Sequence, residues 1–153
     1  MAVHNQSRSD EPGDSALETQ RQRAARTLEA IGITPTPQRI EIARILLAKP
    51  QHLSAEQVLS VLKQGDLSVS KATVYNTLGL FAEKGLVREV IVDPSKVFYD
   101  SNCGEHHHFY DVDSCTLTDI DAREIDIGGF PDVPDGKVVD RVDVIVRVRS
   151  RQG

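Results

Sequence analysis

The sequence predicts an α+β chain of two unlike halves, a helical and mildly basic one followed by a strand-rich and acidic one. Apolar residues recur at helical spacing up to about residue 85 and at alternate positions after it. The net charge of −5 hides +3 over residues 15–92, from 10 Lys+Arg against 7 Asp+Glu, and −6 over residues 93–153, from 7 against 13. Between the halves, two short strand patterns meet at Asp93-Pro94, a turn pair. A basic half can face phosphate and an acidic half can hold cations.

The elements follow in order. Residues 1–14 (MAVHNQSRSDEPGD) carry no hydrophobic signal core and read as a disordered polar tail. ALETQRQRAARTLEAI places Leu17, Ala24, Leu28 and Ile31 near helical spacing, with Gly32 as a stop. Thr36 caps a second helix with Pro37 at its first position, and Ile40, Ala43, Ile45 and Leu47 supply its apolar contacts before Pro50. SAEQ at 54–57 is a capping box, and Val58, Leu59 and Leu62 form the inner face behind it. Ser70 opens SKATVYNTLGLFAEKG, with Val74, Leu78 and Phe81 turned to the core and Gly85 at its end. LVREVIV and KVFYD then make a hairpin. Short helices followed by a hairpin are the order of a winged helix-turn-helix, expected over residues 15–100 with a hinge at its end.

Residues 101–153 change period. HHHFYDVD and TLTDID read as strands, GGFPDVPDG as a loop, and RVDVIVRVRS as a half-buried strand with Val142, Val144, Val146 and Val148 on one face. About 50 residues make a small core. A small C-terminal α/β dimerisation domain is therefore expected, completing its burial against a second copy. With no Trp and 5% aromatics the cores rest on aliphatic residues. No apolar run approaches the ~20 residues that span a bilayer, so no membrane partner and a cytoplasmic location are expected. The two cysteines, Cys103 and Cys115, form no CxxC pair, so neither a disulfide framework nor a Cys-rich zinc site is indicated.

Two stretches carry chemistry. Lys71, Thr73, Tyr75 and Asn76 lie near the start of the fourth helix and are of the types that reach base edges and phosphates, and Arg39 is a candidate phosphate clamp. The bland alternative is a solvated helix face. In CGEHHHFYDVD, a strand would project His106 and His108 to one face and His107 to the other. Two imidazoles at i, i+2 can share a divalent ion; Asp100, Asp119 and His52 are the nearby candidates to complete it. Imidazole with carboxylate suits Fe(II), Mn(II) or Zn(II). The alternative is a surface histidine run. No nucleophile elbow, HExxH or phosphate loop is present, so an enzyme is not expected.

Together TPQR at 36–39, QHLSAEQV at 51–58, SKATVYNTLGLFAEKGLV at 70–87 and HHHFYD at 106–111 resemble the ferric uptake regulator (Fur) family over residues 17–149. The resemblance implies a dimeric winged-helix regulator that binds palindromic double-stranded operator DNA under control of a metal site near the hinge. The dimer, or a higher oligomer, is part of that expectation. The family's regulatory ligands fall on His52, Asp100, His106, His108 and Asp119, its DNA-contacting tyrosine on Tyr75 and its N-terminal arginine on Arg39. Two Asp carboxylates resemble the peroxide-sensing branch, PerR. Asp111 and Ser114 stand where most members place structural-zinc cysteines, so a four-cysteine structural zinc is not expected. That loss, with the triple histidine, resembles the iron response regulator branch, Irr, which implies haem as a further ligand with His107 as its candidate. Glu105, His107 and Asp126 are the alternative, a degenerate second metal site. The function expected is a metal-dependent repressor of iron homeostasis. A peroxide-sensing repressor is the alternative in that class, and a metal-dependent enzyme or metal-storage module the alternative outside it.

Overall fold

The computed structural model describes residues 12–153. Four helices, α1 (Pro12–Ala30), α2 (Pro37–Leu47), α3 (Ala55–Leu62) and α4 (Lys71–Glu83), precede most of the strands. The six strands are β1 (His52–Ser54), β2 (Arg88–Asp93), β3 (Lys96–Asp100), β4 (His106–Asp111), β5 (Thr116–Asp121) and β6 (Ile145–Val148). They form two three-stranded sheets, ordered β1-β3-β2 and β5-β4-β6, in which only β4 and β6 run parallel.

Local chemistry sets the helix starts. The side chains of Thr36, Ser54 and Ser70 accept the amides of Arg39, Gln57 and Thr73, and Gln57 accepts the Ser54 amide in return. These bonds satisfy amides that the first helical turn leaves open. At the end of α4, Gly85 takes φ 77°, a left-handed conformation that costs glycine nothing, and the Gly85 and Leu86 amides turn back onto Ala82 and Phe81.

Leu28, Ile42, Leu46, Val58, Val74, Leu78 and Phe81 are fully buried and knit the four helices into one core. On α2 Ala43 and Ile45 are buried as expected, together with Ile42 and Leu46, whereas Leu47, expected inside, lies on the exposed side of the helix. Between α1 and α2, buried Glu41 takes the Arg44 guanidinium at 2.9 Å and the Arg21 Nε as well. Burial alone would raise its carboxyl, but the bonds from Arg44 and Arg21 outweigh it and hold Glu41 below the usual carboxylate range. A depressed folded pKa stabilises above the unfolded value and loses that contribution as pH falls through the folded value. Glu41→Ala should therefore cost about 1–3 kcal/mol in urea unfolding at pH 7, and the gap to wild type should close as the pH drops below about 4.

A second core lies between the sheets. Strand alternation sends Tyr99 toward the helices and Phe98, with Val90 and Val92 of β2, toward Tyr110 and Leu117 of the second sheet. Lys96, Phe98 and Asp100 thus share one face of β3, and His106, His108 and Tyr110 share the face of β4 that meets it.

The second half departs from expectation in its last strand. Regular pairing covers Ile145–Val148 rather than the whole of 141–150, and Val146 and Val148 are exposed. The parallel register sets Val146 beside exposed Phe109, so these two and Val148 form an exposed apolar patch on the outer face of this sheet. Helical structure here is one 3-10 turn, Ala122–Glu124, and the Gly/Pro-rich segment after it is irregular, as the loop reading expected. The tail expected over 1–14 lies outside the described residues except for 12–14, which begin α1. Among the described residues no helix is long and apolar enough to cross a membrane.

Candidate metal centre and nucleic-acid interface

The backbone register assembles the histidine cluster. In the first sheet His52 lies directly opposite Asp100, and in the second His108 lies directly opposite Asp119. His52 begins β1, a three-residue strand whose pairing with β3 continues through the Ser101 amide to the Gln51 carbonyl at 2.9 Å. Packing Phe98 on Tyr110 then brings the two strand ends together.

Asp100 is the centre, with 1% of its surface exposed. Its Oδ2 lies 2.8 Å from His106 Nε2 and 3.1 Å from His108 Nε2, while its Oδ1 accepts the Asn102 amide at 2.9 Å. Asp119, half-exposed, places Oδ1 3.3 Å from His108, 3.4 Å from His52 and 3.7 Å from His106, each measured to Nε2. The ligand atoms of Asp100, His106, His108 and Asp119 all lie within 4.8 Å of one another. His52 flanks this group, its ring centroid 5.6 Å from that of His108.

Burial alone would raise the Asp100 carboxyl, but hydrogen bonds from His108, the Asn102 amide and His106 hold it below the usual range. Burial alone would lower His106; the Gly104 carbonyl on Nδ1, at 2.7 Å, and the Asp100 carboxylate raise it instead. The carbonyl on Nδ1 also fixes which ring nitrogen is turned to the carboxylates. Borderline imidazoles and hard carboxylates converging on one point are a donor set for a divalent cation, and four residues here can hold one.

His107 faces the other way. It is buried, and its Nδ1 accepts the Val144 amide at 3.1 Å, so one ring nitrogen is committed to holding β6 on β4. Glu105 and Asp126 are exposed and are not gathered with it; among the described residues the Asp100–Asp119 group is the one such cluster.

On α4, Lys71, Tyr75 and Asn76 are exposed and Thr73 is half-buried. The Tyr75 hydroxyl donates to Glu56 of α3, and Lys71 Nζ sits 5.8 Å from the centre of the Tyr75 ring. Arg39 reaches the Thr34 carbonyl at 2.9 Å at the start of α2. Sequence reasoning missed Glu56 as a partner of this surface, because the contact joins residues 19 apart that only the helix packing brings together.

The model of the ferric uptake regulator family matches residues 30–128, well over half of the chain. The chain belongs to the ferric uptake regulator family. Among the curated relatives, the peroxide-responsive repressor PerR of Staphylococcus aureus (strain Mu50 / ATCC 700699) is 31% identical over 93 residues. That match covers 61% of this chain and 63% of the relative, so the chain spans less than two thirds of the length of the curated relatives it matches. Among solved structures, the ferric uptake regulator of Pseudomonas aeruginosa with manganese is 25% identical. It covers 84% of this chain and 98% of that one at a TM-score of 0.62. The Vibrio cholerae regulator, 20% identical, covers 82% and 98% at 0.63 and shows the shared fold. The Staphylococcus and Pseudomonas relatives are a repressor and a regulator by name.

Proposed function

We propose that this member of the ferric uptake regulator family is a homodimeric, metal-dependent repressor acting on iron homeostasis in the cytoplasm. Its regulatory cation would be held by His52, Asp100, His106, His108 and Asp119. The reading rests on one observation above all: the donors come from both halves of the chain, His52 and Asp100 from the winged-helix sheet and His106, His108 and Asp119 from the second sheet. A cation among them would tie residues 15–100 to residues 101–153 across the hinge after Asp100. The hydrogen-bonded contacts between these donors would give way to it. Fe(II) and Mn(II) suit the donor set, and Zn(II) is accommodated by it; the Pseudomonas relative was solved with manganese. The apolar outer face around Phe109, Val146 and Val148 offers the surface for a second copy. A dimer presents two recognition helices, which must meet half-sites about one helical turn apart, ~34 Å. A clamp that sets the angle between halves therefore sets DNA affinity.

Arg39, Lys71, Thr73, Tyr75 and Asn76 are the DNA-facing residues in this reading. Tyr75→Ala should lower affinity for a selected DNA duplex at least tenfold, about 1.4 kcal/mol. Glu56→Gln removes an anion bonded to Tyr75 and should raise affinity severalfold, with a steep salt dependence retained in both. Filter binding across a salt series measures this; an unchanged Tyr75→Ala affinity would refute the assignment of α4 to recognition.

The match to peroxide-responsive repressors, together with two aspartates in the donor set, favours a second reading in which the same site senses peroxide through bound Fe(II). Loading the protein with Mn(II), Fe(II) or haem, then adding hydrogen peroxide to the Fe(II) form, separates the readings. Loss of DNA binding with an oxygen added to His52, His106 or His108 supports the second, and a response to metal occupancy alone supports the first.

A further inference from the structure

A separate site lies at the opposite end of the same inter-sheet packing. Because strand side chains alternate, the face of β3 that carries Asp100 to the histidines also carries Lys96, four residues earlier, to the turn between β4 and β5. There Lys96 Nζ sits 2.8 Å from Cys115 Sγ and 3.3 Å from the Tyr110 hydroxyl. A cavity of about 610 Å³ opens beside this pair, with Phe98, Tyr99, Pro94 and Tyr75 among its walls. None of the five candidate metal ligands lines it. The volume falls in the range of small-molecule sites, and Pro94, Val97, Phe98 and Tyr99 give it apolar wall beside the one reactive group.

We propose that Cys115 is a reactive thiolate that takes organic hydroperoxides, their hydrocarbon part lying in this cavity. The thiolate attacks the terminal oxygen of ROOH. An S–O bond forms, the O–O bond breaks, sulfur is oxidised by two electrons to the sulfenic acid, and the peroxide is reduced to ROH. The departing alkoxide takes its proton from the Lys96 ammonium, which recovers one from solvent. The groups that face the sulfur are Lys96 of β3 with Tyr110 and Asp111 of β4. Hydrogen bonds from Lys96 and Tyr110 hold the thiol below its ordinary range, against burial and the Asp111 carboxylate. Cys103 is the internal contrast: it is exposed, and its Sγ donates to the Gly85 and Leu86 carbonyls at 3.7 Å. Those bonds favour the protonated and unreactive form.

The test uses the full chain with a metal chelator present. Cumene hydroperoxide is added in substoichiometric amount, the sulfenic acid is trapped with dimedone, and both cysteine peptides are quantified by mass spectrometry. Cys115 should react at least about tenfold faster than Cys103, because its sulfur faces the Lys96 ammonium at the cavity wall while that of Cys103 is held by carbonyls. Lys96→Met should slow Cys115 about tenfold, and Lys96→Arg, which keeps the cation, should slow it less, with Cys103 unchanged in both. Hydrogen peroxide at equal concentration should react more slowly at Cys115 than cumene hydroperoxide. Equal rates at the two cysteines, or a Lys96→Met variant as fast as wild type, would overturn the site. Hydrogen peroxide reacting as fast as cumene hydroperoxide would overturn the role given to the cavity.

Discussion

Replacing Asp100 with alanine is expected to remove high-affinity divalent metal binding, with a loss beyond the ~10–100-fold typical of an outer partner of a metal ligand. Asp100 is the only carboxylate of the cluster that is fully buried, and one of its oxygens is shared between His106 and His108. Without it, two buried imidazoles with ring centroids 4.6 Å apart face each other with no anion between them. A cation there would meet far less negative charge. Competition titration with Mn(II) measures the loss, and Asp100→Asn, which keeps the shape and removes the charge, separates charge from packing. Asp119→Ala should cost less, because that side chain is half-exposed and its oxygen lies 3.3–3.7 Å from its neighbours.

The largest expected effect on folding is at Phe81. Its side chain is fully buried on α4 among Leu28, Ile42, Leu46 and Leu78. Its backbone carbonyl accepts the Leu86 amide in the turn that starts the wing. Phe81→Ala removes a large buried ring and leaves a cavity, at a cost of about 3–5 kcal/mol. Against total stabilities of about 5–15 kcal/mol, that is enough to leave the winged-helix half marginal. Urea unfolding followed by circular dichroism should show the midpoint fall with the slope unchanged. A change under about 1 kcal/mol would mean that this helix is not packed as described.

Much of this was legible in the sequence because it depends on short-range chemistry. Thr36, Ser54 and Ser70 announce their helices through caps that each satisfy a donor within three residues. His106 and His108 fall on one side of a strand by period alone, and Asp100 falls at the end of the preceding strand. What the sequence hid was register and long-range pairing. HLS at 52–54 is too short for a strand pattern, yet opposite Asp100 it becomes one and aims His52 at the cluster. RVDVIVRVRS alternates over its whole length, but β4 offers pairing only to Ile145–Val148. The Cys115–Lys96 pair was within reach: once Asp100 is placed against the second sheet, strand period requires Lys96 to face it too. The Tyr75–Glu56 bond had no such signal, since it depends on how α3 packs on α4.

The measurement that bears most directly on a metal clamp acting on DNA combines both readouts in one titration. A two-fold symmetric duplex selected from random sequence by the Mn(II)-loaded wild type serves as probe, and its retention is followed as Mn(II) is added to chelated wild type and to the His106→Ala, His108→Ala double variant. A clamp built on these histidines predicts that wild-type affinity shifts at least about tenfold as metal saturates, within the 5–150-fold range of typical coupling, and that the double variant binds metal far more weakly and shows no shift. A wild type whose DNA affinity is the same with and without Mn(II), or a double variant that shifts as the wild type does, would contradict it.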